Sequence, residues 1–336
     1  MANTLLAGIE LGGTKCICTL GSGPDDIRAQ VTLPTVDPER TLNSIAATIE
    51  KWRVDFDTPS ALGIASFGPI DLRHGSPTYG RMGATPKHGW PDADVLGYFT
   101  NRFTIPVALS TDVIGAALAE GRWGGARGLN DFVYVTVGTG IGAGIIVGGQ
   151  SVFGLHHPEI GHYRLTRAPG DTWPGSCPFH GDCLEGLASG PAIEARCGQA
   201  GATLSDDSPV WETVAHALAQ MAHVLVTTVA PQRILIGGGV VSGHPHLFPR
   251  IRSLLLSSLN GYLRIPEMLD DIDHYIAPPG LGTLAGPLGA LAVATERLAR
   301  ESPAGTTERD RAGSEGIPSG ELARESPAGT ADAHGS

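Results

Sequence analysis

Cys177-x-x-His180-x-x-Cys183 lies in a loop rich in proline and glycine, with His162 upstream. Two thiolates and two imidazoles suit tetrahedral zinc. Pro174, Gly175, Pro178 and Gly181 make this a loop unable to build its own core, and a metal would order it. The competing readings are a flexible loop with incidental Cys and His, or a Cys177–Cys183 disulfide. A second grouping is a set of glycine turns at strand ends. Gly12-Gly13-Thr14-Lys15 joins two expected strands. Small residues let backbone N–H groups approach a phosphate, and Thr14 adds a hydroxyl. Lys15 adds charge or points outward as a strand residue, and the whole turn also reads as an ordinary hairpin. Gly138-Thr139-Gly140-Ile141-Gly142-Ala143-Gly144 is richer, and Gly237-Gly238-Gly239-Val240 follows an expected buried strand. No GxxxxGK[ST] occurs, so none of these is a Walker loop. The short β-branched segment after Gly144 also disfavours a dinucleotide fold, which needs a helix there. Together the three turns point to a nucleotide cleft, with Gly237-Gly238-Gly239-Val240 suited to its sugar and base.

Ser110-Thr111-Asp112 ends an expected strand and starts a helix. A Thr or Asp there caps the helix. A carboxylate there can also take a proton from a substrate hydroxyl. The two roles are compatible. Glu159 precedes His162, and Glu185 follows Cys183 by two. A metal that held the loop would fix both carboxylates for hydrogen bonds to sugar hydroxyls. Each also reads as a solvated acid. His156 and His157 are expected on the surface, with a second metal site there as the alternative.

The elements that position these groups alternate. Leu5–Leu11, Cys16–Leu20 and Gln30–Leu33 read as strands, Leu42–Trp52 as a helix, and Ala61–Phe67 and Pro106–Ser110 as strands. Ile114–Trp123 reads as a helix, followed by strands Phe132–Val137 and Gly142–Val147 around the second glycine turn. Leu184–Arg196 and Trp211–Val229 read as helices, Arg233–Ile236 as a strand and Leu284–Leu298 as a closing helix. A strand–glycine turn–strand unit that opens the chain and returns midway predicts two α/β halves with a cleft between them. One doubly wound sheet is the alternative. The expected division is a first lobe of residues 1–115 plus 284–300 and a second lobe of residues 116–283 carrying the zinc loop. LARESPAGT occurs at Leu298–Thr306 and again at Leu322–Thr330, and residues 301–336 lack aromatics and are expected to be a disordered low-complexity tail.

Composition excludes several classes. The 336 residues carry a formal charge of −11, which argues against nucleic acid as a partner. No run of about 18 apolar residues occurs, so no membrane partner is expected. The start MANTLLAGIELGG lacks a basic, long-apolar leader. Five cysteines cannot all pair. Cys16 and Cys18 would share one buried strand face, Cys197 falls near a helix end, and a reducing cytoplasm is expected.

GIELGGTK at Gly8–Lys15, SFGPID at Ser66–Asp71, Ser110–Val113, Gly138–Gly144, HPEIGH at His157–His162, CPFHGDCLEGLASGPAIEAR at Cys177–Arg196 and Gly237–Val240 together resemble the ROK (repressor, open reading frame, kinase) sugar kinases. Within that family the chain is most similar to the zinc-containing bacterial fructokinases. The resemblance spans about residue 5 to 299. It implies a two-lobed actin-like (ribonuclease-H-like) α/β ATPase fold, usually a homodimer, that phosphorylates fructose with ATP and magnesium. By position it implies ATP phosphates at Gly12, Gly13, Thr14, Lys15, Gly138, Thr139 and Gly140, and adenosine at Gly238 and Gly239. Asp112 would be the base. Gly68, Pro69, Thr111, Asp112, Glu159, His162 and Glu185 would form the sugar site. His162, Cys177, His180 and Cys183 would hold a structural zinc. Tyr79–Gly80 and Thr85-Pro86-Lys87 resemble a fructokinase segment.

There are departures from the family pattern. Most members have Asp where Glu10 stands and Asn where Thr111 and Gly115 stand, and three cysteines in the zinc loop where His180 replaces one. Thr111 and His180 resemble the fructokinase branch. Gly115 removes a polar contact that could bear on substrate preference, and Glu10 could assist magnesium through water. The alternatives carried forward are a glucokinase, mannokinase or broad hexokinase of the family, and a sugar-responsive repressor or sensor. The repressor is disfavoured because no helix-turn-helix fits ahead of Gly12.

Overall fold

Leu6, Ala7, Ile9 and Leu11 are all buried in β1 (Leu6–Leu11). A near-continuous apolar run of this kind belongs to a strand covered on both faces. β1 pairs antiparallel with β2 (Lys15–Gly23), which pairs antiparallel with β3 (Asp26–Pro34). On the other side β4 (Leu62–Ser66) runs parallel to β1, and β5 (Val107–Thr111) parallel to β4. The order is β3-β2-β1-β4-β5. A second sheet contains β6 (Phe132–Val137), β7 (Ile141–Val147), β8 (Gln150–Ser151), β9 (Arg233–Gly237) and β10 (Ile276–Ala277). From β8 its order is β8-β7-β6-β9-β10, the same plan repeated. The recurrence of strand–glycine turn–strand in the sequence is thus a repeated sheet, not one doubly wound sheet. The computed structural model describes residues 4–85 and 87–301. Residues 302–336 of the expected tail, and Pro86 of the Thr85-Pro86-Lys87 segment, lie outside the described residues.

The helices are α1 (Pro38–Asp55), α2 (Val95–Arg102), α3 (Asp112–Trp123), α4 (Leu184–Ala188), α5 (Gly190–Cys197), α6 (Val210–Thr228), α7 (Gly239–Gly243), α8 (Leu247–Leu259), α9 (Pro266–Leu269), α10 (Ile272–Tyr275) and α11 (Ala285–Glu301). In α1 the Asp37 carboxylate accepts from Arg40 N at 2.9 Å, and Pro38 opens the first turn. Leu42, Ile45, Ile49 and Trp52 then fall on one buried stripe against the first sheet's core. In the second half α6 and α8 pack together, with Trp211, Leu218, Ile251 and Leu255 in the core under β6 and β9.

The single helix expected over Leu184–Arg196 is two. Ser189 has extended backbone (φ −71°, ψ 162°) and caps α5 by accepting from Ala192 N at 3.3 Å. Pro191, in the first turn of α5, has no N–H to continue α4. Helices α2 and α8 were not expected. The first is short and holds Gly97, and Pro249 in the first turn of α8 reads as a breaker.

Two glycine contacts set the layers. A Cβ at Gly8 would come within 2.9 Å of Ala290 Cβ, and one at Gly63 would collide with the Ala290 backbone. Small residues at these points let α11 lie directly on β1 and β4. Helix α3 is wedged between the sheets. A Cβ at Gly115 would meet Ala65 Cβ at 2.9 Å, and Gly142 and Gly144 of β7 press on Val113 and Ala117. Gly115 therefore serves a close crossing with Gly289 of α11. It does not line the cleft.

Candidate functional site

Because α3 sits between the sheets, its N-terminus opens where both glycine hairpins end. A cleft of about 840 Å³ there is lined by Gly12 and Gly13 from one hairpin and Gly138, Thr139 and Gly140 from the other. Gly68, Pro69, Thr111, Asp112, Glu159, His162 and Glu185 also line it. Four expected residues do not. Thr14 and Lys15 are exposed beyond the first tip. Gly238 and Gly239 start α7 outside the lining. Gly238 has φ +89°, and a Cβ there would meet the Val137 backbone at 2.5 Å, so its smallness serves a chain crossing. Gly144 likewise serves packing on α3, and Gly142 both lines the cleft and packs on Val113, whereas Gly13 and Gly138 face open space.

The capping question at the start of α3 resolves onto Thr111. Its hydroxyl accepts from Ile114 N at 3.2 Å. Asp112 Oδ1 accepts from its neighbour Val113 N at 2.8 Å and caps no later turn. Burial pushes the Asp112 carboxyl up to about 6, the backbone N–H bonds of Val113 and Asp112 pull it down, and Glu159 pushes it up again. Behind it, burial raises Glu10 to about 7, the Asp112 charge adds to the rise, and Lys15 opposes it. Glu10 Oε2 is buried and has no hydrogen-bond partner.

Glu159 and His162 flank one 3₁₀ turn, in which His162 N donates to Glu159 O at 3.0 Å. Gly161 rests on the Ile141 backbone, where no side chain fits. Glu185 stands in the first turn of α4, and its Oε2 accepts from Ile141 N at 2.9 Å. His157 corrects an expectation, being buried, not on the surface. It lines the cleft with Nδ1 3.4 Å from Glu159 Oε1 and its ring beside Gly68. Burial lowers its pKa, against the pull of Glu159. Its position in HPEIGH was the only available signal. Phe67, Thr136 and Phe179 also line the cleft without having been singled out.

The quartet His162, Cys177, His180 and Cys183 converges, with its donor atoms all within 4.8 Å of one another. Cys177 Sγ lies 3.8 Å from His162 Nδ1 and 3.7 Å from His180 Nδ1, and Cys183 Sγ lies 3.7 Å from His162 Nδ1. Sulfur and nitrogen ligands of one tetrahedral zinc stand about 3.6 Å apart, so donor set and spacing both fit. Paired backbone bonds between Cys177 and Gly181 close the intervening turn. Cys183 immediately precedes α4 and so sets where Glu185 emerges. No disulfide joins the cysteines, all five being free.

Two α/β sheets of one plan around a glycine-tipped cleft, with Asp112 between the tips and Glu159 and Glu185 beside it, describe a sugar-kinase-like ATPase. A profile of the ROK family matches residues 6–297, and the chain belongs to the ROK family. A Bacillus subtilis (strain 168) protein, provisionally described as a fructokinase, is 44% identical over 301 residues, covering 90% of this chain and 99% of that one. A fructokinase of Pediococcus pentosaceus is 40% identical over 88% of this chain and 99% of its own length. Among solved structures, the ROK hexokinase of Thermus thermophilus superposes with a TM-score of 0.71 at 26% identity, over 88% of this chain and 99% of that one. The fold is the two-lobed actin-like ATPase fold of that family. Among the described residues, no helix is long and apolar enough to cross a membrane.

Proposed function

We propose that the chain phosphorylates D-fructose at its 6-hydroxyl with ATP, giving fructose 6-phosphate and ADP. The observation that carries this reading is the Asp112 carboxylate, which lines the cleft between two glycine tips while Thr111 does the capping. Its fructokinase relatives support the choice of sugar. Asp112 accepts the 6-hydroxyl proton as that oxygen bonds to the γ-phosphorus. The bond to the ADP oxygen breaks, and ADP leaves with the electron pair. A carboxyl raised to about 6 is still mostly ionised at neutral pH and close to the best range for a general base. Backbone N–H groups at Gly12–Gly13 and Gly138–Gly140 donate to the phosphates in a site partly shielded from water.

Gly68, Pro69, Thr111, Glu159, His162 and Glu185 hold the sugar in this reading, and their shared cleft supports it. Thr14 and Lys15 for phosphate, and Gly238 and Gly239 for adenosine, rest on the family resemblance alone. The division into lobes 1–115 plus 284–300 and 116–283 is supported by α11 lying on β1 and β4. Glu10, with its orphaned buried oxygen, would hold a magnesium ion that neutralises phosphate charge. The quartet would hold one structural zinc and so brace α4 and Glu185. Its two thiolates must stay reduced, which suits a cytoplasmic setting. A homodimer completes the reading, and sedimentation would test it.

A coupled ATP-turnover assay over fructose, glucose and mannose tests the function. We expect kcat/KM for fructose to exceed the others by at least about tenfold, the scale of one hydrogen bond worth about 1.4 kcal/mol. Equal rates would favour a broad hexokinase, and no turnover on any hexose would end the kinase reading.

A further inference from the structure

Away from the cleft, Asp206, His244 and His246 bring a second set of ligand-type atoms within 4.8 Å of one another. They come from two separate stretches of chain. Asp206 sits in the turn before α6, closed by Ser208 N donating to Ser205 O at 3.0 Å. His244 ends α7, and His246 is the residue before α8. Pro245 between them restricts the backbone. Buried Trp211 supports the group from beneath. Its indole N–H donates to Ser205 O at 2.8 Å, its ring lies against His244 at a 35° tilt with centroids 3.9 Å apart, and it meets His246 edge-on at 6.0 Å.

The oxygen Oδ1 of Asp206 lies 3.4 Å from His244 Nδ1 and 3.2 Å from His246 Nδ1. Nitrogen and oxygen ligands of one tetrahedral ion stand about 3.3–3.4 Å apart. The His244 contact is a long hydrogen bond. The His246 contact is not one, because both ring nitrogens of His246 are buried without any hydrogen-bond partner. Buried polar atoms are nearly always paired, and an orphan asks for an explanation such as an ion. We propose that Asp206, His244 and His246 form a second metal site for a borderline transition-metal dication such as Zn²⁺, completed by water. Two imidazoles and one carboxylate favour zinc, nickel, cobalt or copper over magnesium and calcium, which prefer all-oxygen sets. The ion ties the turn before α6 to the joint between α7 and α8, at the opposite end of α7 from Gly238.

Equilibrium dialysis of the untagged full-length protein against micromolar Zn²⁺, followed by metal analysis, tests the site. Wild type is expected to hold one more equivalent per chain than Asp206→Asn or His246→Gln, and zinc is expected to raise its thermal midpoint more than theirs. Asp206 is 71% exposed at its side chain, so Asp206→Asn keeps the test valid even where a histidine variant folds poorly. Cys177→Ser combined with Cys183→Ser should leave this equivalent bound, so the two metal sites fail separately. Equal zinc content and equal zinc response in wild type and both variants would overturn the proposal and leave Asp206 as a shared hydrogen-bond acceptor.

Discussion

Gly12-Gly13 and Gly138-Thr139-Gly140 close equivalent strand pairs, one in each sheet, but different parts of the chain hold them. The first tip is tied within its own sheet. Gly12 N donates to Lys15 O at 3.1 Å, and Thr35 at the end of β3 donates from Oγ1 to Gly12 O at 2.7 Å and from N to Thr14 O at 2.9 Å. The second tip has its own turn bond, Gly138 N donating to Gly140 O at 2.9 Å, but is also held from outside its sheet. Glu185 accepts from Ile141 N, and Gly190 N donates to Gly138 O at 2.8 Å. Both partners follow Cys183, so the second tip inherits its position from the Cys/His loop. The chemistry beneath the tips differs too. Glu10 stands two residues before Gly12, and Thr136 stands two residues before Gly138. One tip therefore has an acid behind it and is locally braced, whereas the other has a hydroxyl and depends on a remote brace.

The largest expected effect falls on the group between the tips. Asp112→Asn should lower kcat by at least about 100-fold with an unchanged circular-dichroism spectrum. Turnover within about tenfold of wild type would remove Asp112 from the role. In wild type kcat/KM should rise with pH through about 6 as this carboxyl ionises. A carboxyl raised above its ordinary 3.8 helps the fold most below that pH and loses this contribution as pH rises through about 6. Asp112→Asn should therefore melt above wild type at neutral pH.

The next effects separate the tips. If the quartet holds the proposed zinc, Cys183→Ser should release it and depress kcat/KM by about 10–100-fold, with the first tip untouched. Metal analysis and kinetics together check this, and full activity without bound zinc would refute the remote brace. Glu185→Ala removes the acceptor of Ile141 N, a loss of about 1–3 kcal/mol. Its kcat/KM should fall about tenfold or more, and Glu185→Gln should recover part of that.

Smaller effects are expected at the first tip. Glu10→Gln should raise the magnesium concentration needed for half-maximal rate and remove its pH dependence near 7. Because the Glu10 carboxyl is raised, its ionisation works against the fold as pH climbs from about 4.5 to 7. The variant should then gain on wild type in thermal midpoint above neutrality, and a parallel pair of melting-versus-pH curves would contradict the burial of that charge. Thr35→Val should cost only about 1 kcal/mol. A loss as large as that of Glu185→Ala would show that both tips need equal support.

The residues legible in the sequence were those whose meaning is local. Glycine turns between short strands, Asp112 after Ser110-Thr111, and the spacing of Cys177, His180 and Cys183 each carry their chemistry within a few positions. Other roles were not legible because the partner lies far along the chain. Thr111, not Asp112, is the cap because of side-chain direction at one turn. His157 is buried because the HPEIGH segment folds back beside Gly68. Gly142 and Gly144 look like part of a phosphate loop but press on α3, and Gly115 looks like a lost polar contact but makes a helix crossing.

By itself the amino-acid sequence determined the alternating α/β order, the repeated strand–turn–strand unit, the single candidate base and the four metal-type ligands. These follow from backbone preferences and short spacings that operate within one or two elements. Tertiary structure alone decided which glycines face open space and which serve packing. It also decided that Glu185 braces the second tip and that Asp206 meets His244 and His246. Those outcomes depend on which remote surface each residue meets, and only the packing of α3 and α11 against the sheets, and of Trp211 beneath the histidines, sets that.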